Sequence, residues 1–408
     1  MSTAADAPTG KQKPKKPLAA TKRSNVKFFE SLADADFFSD KLTHVYFYGE
    51  VDDASVRQLR EKVHAASATV TTDGVVSSPK PILIHINSPG GQLTAGQSTL
   101  SIFSECRVPI ATVVDGIAAS AATFLSVYSP YRLGTPMSMC LIHEYMAFMI
   151  GKESQLRFHI ESLEYSMKYI TDMYTQRTKI PAAELKRLLL HDLLLDAPTC
   201  KKYGIFDRIL SIEPKKAAYA AKHPELALPA RTLLKKTNLN NIAIQCGEPY
   251  SSDVMEKIDS LIFPSTTDIK PVVFRTVSDT CSDMAEAQCF PLATRILALQ
   301  APTLGVIDAY ISIYSLIPIL FCSRRVMYEN ATVYIDVVYN KSWAPHVHDM
   351  FENTMKVVGI MKDILRKRTA LPESVIDSIE KQRSFFTPKM CLQYKIVDEV
   401  IKMNVRVA

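Results

Sequence analysis

An internal repeat is the feature that most constrains how this chain folds. Three segments recur later in the chain, in the same order and at a nearly constant offset. They are "VYFYGE" and "AIQCGE", "VPIATVVDGIAASAATFL" and "APTLGVIDAYISIYSLIP", and "KKYGIFDRI" and "LQYKIVDEV". In the second pair Asp115 aligns with Asp308, and repetition at such a fixed offset indicates repeated structural units. We predict two copies of one domain, at 29–214 and 237–408, joined by a connector at 215–236.

Short apolar runs alternate with amphipathic segments in each copy. This alternation predicts an α/β domain with a largely buried sheet. The predicted strands of the first copy are 44–49, 81–87, 110–115, 131–133 and 138–143, and its predicted helices are 53–66, 92–105, 118–128 and 154–178. The last helix carries an apolar row spaced alternately four and three residues apart: Leu156, Ile160, Leu163, Met167, Ile170 and Tyr174. The row leaves open whether this helix packs on its own domain or on another chain.

The positive charge of the chain is concentrated at its N-terminus. The net charge is +6, and residues 1–28 alone contain seven basic residues and one acid. This segment has no apolar periodicity, so we predict a basic disordered tail, and it has no apolar h-region of a secretory signal. We expect a cytoplasmic protein. An organelle lumen, such as that of a mitochondrion or plastid, is the alternative if the tail is a transit peptide.

The rest of the chain is balanced in charge, and no apolar run is long enough to cross a bilayer. We therefore expect no nucleic-acid partner and no membrane partner. The eight cysteines are scattered without metal-ligand spacing, which favours reduced thiols and predicts no metal site.

Three residues of the first copy have the side chains that acyl transfer requires. Ser120 follows a strand and precedes an apolar helix, His143 ends another strand, and Asp192 lies among leucines. Each has an ordinary explanation when taken alone: a helix cap, a strand end and a loop acid. Together with the Gly90-Gly91 pair, which follows a buried strand and offers backbone N–H groups, they form a Ser/His/Asp set for nucleophilic catalysis.

Four motifs of the first copy resemble the proteolytic subunit of Clp protease (ClpP), a family of compartmentalised serine peptidases with a crotonase-like fold. They are "INSPGG" (Ile86–Gly91), "GIAASAA" (Gly116–Ala122), "LIH" (Leu141–His143) and "HDLLLDAPTCKKYGIFD" (His191–Asp207). The resemblance covers about residues 44–210. It implies a crotonase/ClpP-like fold in two tandem copies and a serine endopeptidase that degrades unfolded polypeptides.

The resemblance also assigns roles to individual residues. Ser120 is the expected nucleophile, His143 the general base and Asp192 the residue that orients it. The backbone N–H groups of Gly91 and Ala121 are the expected oxyanion hole, and Gly90 supports that loop. No cofactor is expected in this chain. The expected partners are polypeptide substrates, further copies of the chain in a ring-like oligomer, and an AAA+ ATPase unfoldase that would use the ATP.

The sequence departs from the family pattern at two places. Glu144-Tyr145 follows the histidine where the family usually has Gln-Pro, and the glycine-rich stretch expected next is absent, which implies an altered peptide-binding strand. In the second copy Ile313, Asp336 and Arg383 align with the three catalytic positions, and "SDTCSD" (Ser278–Asp283) replaces the glycine turn. The second copy is therefore predicted to be a degenerate, catalytically inactive, structural ClpP-like domain.

Three other functions stay open from the sequence. A tandem signal-peptide-peptidase-like enzyme has the same doubled architecture, but it would pair its serine with a lysine and use a membrane anchor. A crotonase-fold acyl-CoA enzyme would not use this triad. A non-catalytic ClpP-like structural subunit is the third alternative, if the geometry of the first copy does not support catalysis.

Overall fold

The computed structural model of the chain describes most of both predicted copies. The described residues are 26–72, 75–146, 149–211, 229–235, 240–246, 258, 260, 271–279, 285–299, 301–336 and 347–402. Four predicted features lie partly or wholly outside this set. They are most of the basic tail, most of the connector, Gly247-Glu248 of the repeat and four residues of "SDTCSD".

The first half is built on a parallel sheet. Its strands are β1 (Thr43–Tyr48), β2 (Val70–Thr72), β3 (Val75–Ser77), β4 (Ile82–Ser88), β5 (Ile110–Ala119), β6 (Arg132–Gly134), β7 (Met139–Leu141), β8 (Leu194–Asp196) and β9 (Arg208–Ile209). The order β1-β4-β5-β6-β9 is parallel throughout, and β2 and β3 form a separate hairpin. Every residue of β5 is buried, as expected of a central parallel strand with both faces covered.

The helices of the first half agree with the predictions at 53–66 and 154–178 to within a residue, whereas the helix predicted at 118–128 begins only at Ala122 because β5 continues to Ala119. They are α1 (Asp53–Ala66), α2 (Leu93–Ser98), α3 (Leu100–Glu105), α4 (Ala122–Tyr128), α5 (Glu153–Arg177), α6 (Ala182–Leu189) and α7 (Ala197–Lys202). The single helix predicted at 92–105 is wrong in one respect, because it divides at Thr99. The buried Thr99 hydroxyl donates to the Gly96 carbonyl at 2.6 Å, and such a side-chain bond competes with regular helix.

The second half has a five-stranded parallel sheet of the same strand order. Its strands are β10 (Asn240–Cys246), β11 (Val272–Asp279), β12 (Thr303–Ile307), β13 (Tyr310–Ile311), β14 (Arg324–Tyr328), β15 (Thr332–Ile335), β16 (Ser384–Phe386) and β17 (Glu399–Ile401). The sheet runs β10-β11-β12-β14-β17, and β13-β15-β16 form a small separate sheet. The helices are α8 (Ala230–Leu234), α9 (Ala285–Ala298), α10 (Ile313–Leu320), α11 (Val347–Arg368), α12 (Glu373–Ile376) and α13 (Pro388–Gln393).

Equivalent positions of the two halves make equivalent contacts. Arg132 pairs with Asp207 and donates to the Arg177 carbonyl, whereas Arg325 pairs with Asp398 and donates to the carbonyl of Arg368. The small antiparallel pairings agree too: Leu141 is opposite Leu194 in β7–β8, and Tyr334 is opposite Phe385 in β15–β16. The duplication stays a prediction, and these contacts support it.

The two halves share one apolar core. Tyr46, Ile117 and Met139 of the first half belong to the same buried cluster as residues of α9, α10 and α11. Because this core is continuous, the second half is packed directly against the sheet that carries the candidate site.

The predicted domain boundaries differ from the structure at two points. Residues 26–30 are helical, and Phe29 is fully buried in a small core with Phe37 and Tyr131, so the folded unit starts before residue 29. Helix α8, predicted as connector, buries Ala230 and Leu233 against the second sheet. Among the described helices, none combines the length and apolar character needed to cross a bilayer.

Candidate active site

Ser120 lies at a sharp turn between β5 and α4. Its backbone has φ of +51°, a conformation that few non-glycine residues adopt, and its N–H donates to the Leu141 carbonyl at 2.9 Å. Such a strained conformation persists only where the surrounding structure holds it in place, and strained residues of this kind cluster at functional sites. β7 supplies that support, since it pairs with the end of β5 immediately before the serine.

The Gly90-Gly91 turn lies against the serine turn and against Val51. Gly90 has φ of +96°, and a Cβ there would lie 2.6 Å from both the Ala119 oxygen and the Ser120 Cβ. Gly91 has φ of +148°, and a Cβ there would lie 2.3 Å from the Val51 oxygen. Both the backbone conformation and the close approach therefore require glycine.

Two backbone N–H groups beside Ser120 are available to a ligand. Gly91 and Ala121 line the same cavity as Ser120. Within the described part of the chain, neither N–H donates to another group, whereas the neighbouring Gln92 N–H donates to the Val51 carbonyl. These are the two N–H groups that the resemblance assigns to an oxyanion hole, and that role stays a prediction.

His143 and Asp192 are hydrogen-bonded to each other. The distance from His143 Nδ1 to Asp192 Oδ1 is 2.8 Å. The bond forms because β7, which ends two residues before the histidine, pairs antiparallel with β8, which begins two residues after the aspartate. The His143 side chain is a quarter exposed and that of Asp192 is half exposed.

Ser120 and His143 line one cavity but are not bonded to each other. In the described part of the chain, no hydrogen bond joins the Ser120 hydroxyl to the His143 imidazole. Such a bond is often long when no substrate is bound. The cavity measures about 30 Å³, and its other walls include Phe124, Tyr145 and Tyr174. The geometry therefore places the Ser120 and His143 side chains and the Gly91 and Ala121 backbone around one small cavity.

Tyr174 also holds the turn that carries Ser120. The Thr123 hydroxyl donates to the Ser120 carbonyl at 2.5 Å and is hydrogen-bonded to the Tyr174 hydroxyl. Burial raises the pKa of Tyr174, so it stays a neutral donor. The sequence analysis identified Tyr174 as part of the apolar row but missed this role.

The row on α5 is divided between two environments. Its C-terminal members Ile170 and Tyr174 are buried in the domain, whereas Ile160 is half exposed. The C-terminal part of α5 therefore packs on its own domain, and its N-terminal part remains exposed for contact with another chain.

The equivalent place in the second half contains an ion pair. Asp336 and Arg383 are the residues that align with His143 and Asp192, and Arg383 Nε lies 2.7 Å from Asp336 Oδ2. Ile313, which aligns with Ser120, is fully buried at the start of α10. In the described part of the chain the non-glycine residues with positive φ are Ser120 and Lys395, so Ile313 lacks the serine's conformation. The three aligned residues therefore include neither a serine hydroxyl nor an imidazole.

Among the residues that the structure describes, no group of three or more His, Cys, Asp or Glu is arranged to hold a metal ion. Six cysteines are free thiols: Cys106, Cys140, Cys200, Cys289, Cys322 and Cys391. All of these except Cys106 are buried.

Comparison with known proteins shows which family has these features. The sequence model of Clp protease matches residues 40–213. ATP-dependent Clp protease proteolytic subunit 1 of Chlamydia caviae is 31% identical over 135 residues, which are 32% of this chain and 71% of that protein. The chain belongs to the Clp protease family. Proteolytic subunit 1 of Gloeobacter violaceus is 27% identical over 176 residues, which are 42% of this chain and 86% of that protein. Proteolytic subunit 1 of Streptomyces coelicolor is 31% identical over 134 residues, which are 32% of this chain and 61% of that protein.

The fold of this Clp protease family member agrees with the resemblance seen in the sequence, and the roles of its site residues stay predictions. The family model ends at residue 213, so it covers the first half. Three side chains of the second half contact the backbone of residues 192–194, and none of them was predicted from the sequence. They are Asp349, Asn353 and Lys356, and their spacing of four and three residues on one helix is the signal that could have found them.

Proposed function

We propose that the chain is a serine endopeptidase subunit that hydrolyses polypeptides through an acyl-enzyme at Ser120. The observation that carries this proposal is the positive-φ Ser120 in one cavity with the His143–Asp192 pair and two unengaged N–H groups. A serine with only a structural role would not need this conformation beside a histidine–carboxylate pair.

The side chains support a two-step reaction. The Ser120 hydroxyl oxygen attacks the peptide carbonyl, and its proton passes to Nε2 of His143. Asp192 accepts a hydrogen bond from Nδ1–H of the imidazole, which fixes the tautomer and stabilises the imidazolium that forms. The imidazolium then protonates the leaving amine, and water hydrolyses the acyl-enzyme with His143 again acting as base.

The Gly91 and Ala121 N–H groups would bind the oxyanion of the tetrahedral intermediate. One such donor contributes about 2.7–4 kcal/mol to transition-state stabilisation in serine peptidases. The two glycines serve this purpose because a side chain at either position would clash with backbone beside the site.

The substrates we propose are unfolded polypeptides. Tyr145 lines the cavity beside Ser120 and is 39% exposed, so a peptide bound at Ser120 would contact its ring. The relatives are named ATP-dependent proteolytic subunits. We extend that dependence to this chain as delivery of substrates by an AAA+ ATPase.

The second half has a structural role in this proposal. Leu194 of β8 is covered by α11, and its exposed fraction is 7%. The equivalent residue Phe385 is 51% exposed and lies beside Tyr310 and Tyr334, whose rings stack 4.4 Å apart. Tyr310, Tyr334 and Phe385 form an aromatic surface. It is the counterpart of the surface around Leu194 that α11 covers.

The occupant we propose for the aromatic surface is helix α5 of a second copy of this chain. Helices α5 and α11 align at an offset of 191 residues, which relates Arg177 to Arg368. At this offset Phe158 of α5 aligns with Asp349 of α11, and Tyr165 aligns with Lys356. Both are largely exposed, with fractions of 68% and 78%. A contact of this kind is head-to-tail, and it produces a ring where the rotation between copies closes.

A non-catalytic structural subunit is the second candidate function. The absence of a Ser120–His143 hydrogen bond and the small cavity favour it. The two candidates differ in whether Ser120 is nucleophilic.

Labelling with a fluorophosphonate probe decides between them. We expect a covalent adduct on Ser120, located by peptide mass spectrometry, and cleavage of a fluorogenic peptide. The Ser120→Ala variant should lose both, whereas Ser126→Ala, a buried serine of α4, should retain both. A folded wild-type chain that neither labels nor cleaves would establish the non-catalytic function.

A further inference from the structure

We propose that the second half positions the catalytic aspartate through three side chains of helix α11. This inference rests on the proposed peptidase function. It adds Asp349, Asn353 and Lys356 as positioning residues that act through Asp192 and do not touch the substrate.

Asn353 makes the most specific of these contacts. Its side-chain oxygen accepts the Leu194 N–H at 2.6 Å, and its side-chain amide donates to the Asp192 carbonyl at 2.6 Å. Because one amide group bonds both sides of Leu193, it fixes the direction of the backbone as the backbone leaves Asp192.

Asp349 binds the other side of the aspartate. Its Oδ2 accepts the Asp192 N–H at 3.1 Å, and both of its carboxylate oxygens lie 3.2 Å from His191 Nδ1. The Asp349 side chain is only 6% exposed, so its bonds are shielded from water. The Asp192 backbone is therefore held by α11 at both its N–H and its carbonyl.

Lys356 completes the row by donating from Nζ to the Leu194 carbonyl at 2.6 Å. The three side chains are four and three residues apart, which places them on one face of α11. They bind backbone groups of residues 192–194, and a contact to backbone fixes position whatever the side chains in that segment are.

The Asp192 side chain needs this external support. It is half exposed, and its residue lies between the end of α6 and the start of β8, outside regular structure. The carboxylate must meet Nδ1 of His143 in one geometry, and a displacement of about 1 Å in an active site can cost 10²-fold in rate. A half that has lost its own triad thus retains a role in catalysis.

The test compares Asn353→Ala with a matched control on the same helix. His348→Ala removes a side chain that is 81% exposed, one residue before Asp349. We expect Asn353→Ala to lower kcat about 10- to 100-fold with KM within about twofold, and to slow fluorophosphonate labelling of Ser120. The control should match wild type in both assays.

A double-mutant cycle separates positioning from a general loss of structure. In an Asp192→Ala background we expect Asn353→Ala to change kcat less than twofold, because the residue it positions is already gone. If the loss were equally large in that background, Asn353 would act on folding and the inference would be wrong.

Asn353→Asp keeps the inference testable if the alanine variant does not fold. It retains the acceptor for Leu194 N–H but places a carboxylate oxygen against the Asp192 carbonyl, so the same loss of kcat is expected. Wild-type kcat in this variant, with the melting temperature unchanged, would overturn the inference while the proposed function stands. An inactive wild type that does not label at Ser120 would instead defeat the proposed function.

Discussion

Arg295 of helix α9 reaches across to Asp115 in strand β5, and both side chains are fully buried. The distance from Arg295 Nη2 to Asp115 Oδ2 is 3.4 Å. The same carboxylate oxygen accepts a hydrogen bond from Tyr48 at 2.6 Å and lies 2.9 Å from His85 Nδ1. The contact between the halves therefore contains a buried polar network as well as apolar packing. Buried ion pairs are costly to break on one side only.

Removing only the arginine should be strongly destabilising. We expect Arg295→Met to lower the free energy of unfolding by about 3–5 kcal/mol, because Asp115 stays buried without its cation. Adding Asp115→Asn should recover part of this loss, so the two effects are not additive. Urea unfolding monitored by circular dichroism measures Arg295→Met, Asp115→Asn and the double variant. Arg60→Met, which removes an exposed pair with Glu105, serves as the control and should change little. Additive losses would show that the pair is not coupled.

Acid should destabilise the fold through two histidines of the first half, the fully buried His85 and the half-buried His44. Burial and the Arg295 charge lower the pKa of His85 to about 4, and burial and the neighbouring His85 lower the pKa of His44. The unfolded chain therefore binds these protons first as pH falls. Stability is highest above about pH 6.5 and is lost towards pH 4, by roughly 1.4 kcal/mol per pH unit for each proton.

The midpoint of urea unfolding between pH 7 and pH 4 tests this expectation. His85→Gln should reduce the slope of stability against pH by about one proton. His64→Gln, at an exposed position of α1, should leave the slope unchanged. Equal slopes for wild type and His85→Gln would contradict the buried neutral state.

A side chain at Gly91 should strongly reduce activity. In Gly91→Ala the new methyl group would lie 2.3 Å from the Val51 oxygen, so the loop and its N–H must move away from the oxyanion. We expect a loss of about 10²–10³ in kcat, the cost of one oxyanion donor. Gly49→Ala is the control, because Gly49 also has positive φ but has open space around it. If both variants lost activity equally, backbone strain alone would explain the effect.

Replacing the carboxylate of Asp192 should slow catalysis without changing the fold. Asp192→Asn preserves the shape of the side chain but favours the wrong tautomer of His143, and a loss of about 10⁴ in kcat is expected. The exposed Asp53→Asn at the start of α1 should be neutral for activity. Steady-state cleavage of a fluorogenic peptide gives the ratio. A loss of less than about tenfold would mean that Asp192 does not orient the base.

The aromatic surface of the second half should control self-association. Phe385→Asp introduces a charge beside Tyr310 and Tyr334, and we expect the oligomer to dissociate in sedimentation velocity at micromolar concentrations. Phe158→Asp on α5 should have the same effect if the two surfaces meet. Leu392→Asp, at a residue 47% exposed elsewhere on the second half, is the control. A wild-type chain that stays monomeric would refute the contact.

The sequence by itself determined the α/β class, most elements of the first half up to α5 and the Clp protease family, whose motifs predict the roles of Ser120, His143 and Asp192. These depend on local signals: β-branched runs, helical periodicity and short motifs around Gly91, Ser120 and His143. Periodicity also located α1 and α5 to within a residue, because long amphipathic helices carry their own pattern. The division of α2 from α3 escaped it, since that depends on one hydroxyl bond at Thr99.

Only the tertiary structure decided how the two halves act on each other. Asp115 and Arg295 are 180 residues apart, and Asp192 and Asn353 are 161 residues apart. A local pattern at one member of such a pair contains no information about the other, because the contact depends on how two sheets pack. The φ of Ser120 is decided in the same way: a serine prefers a different backbone conformation, and the pairing of β5 with β7 imposes this one.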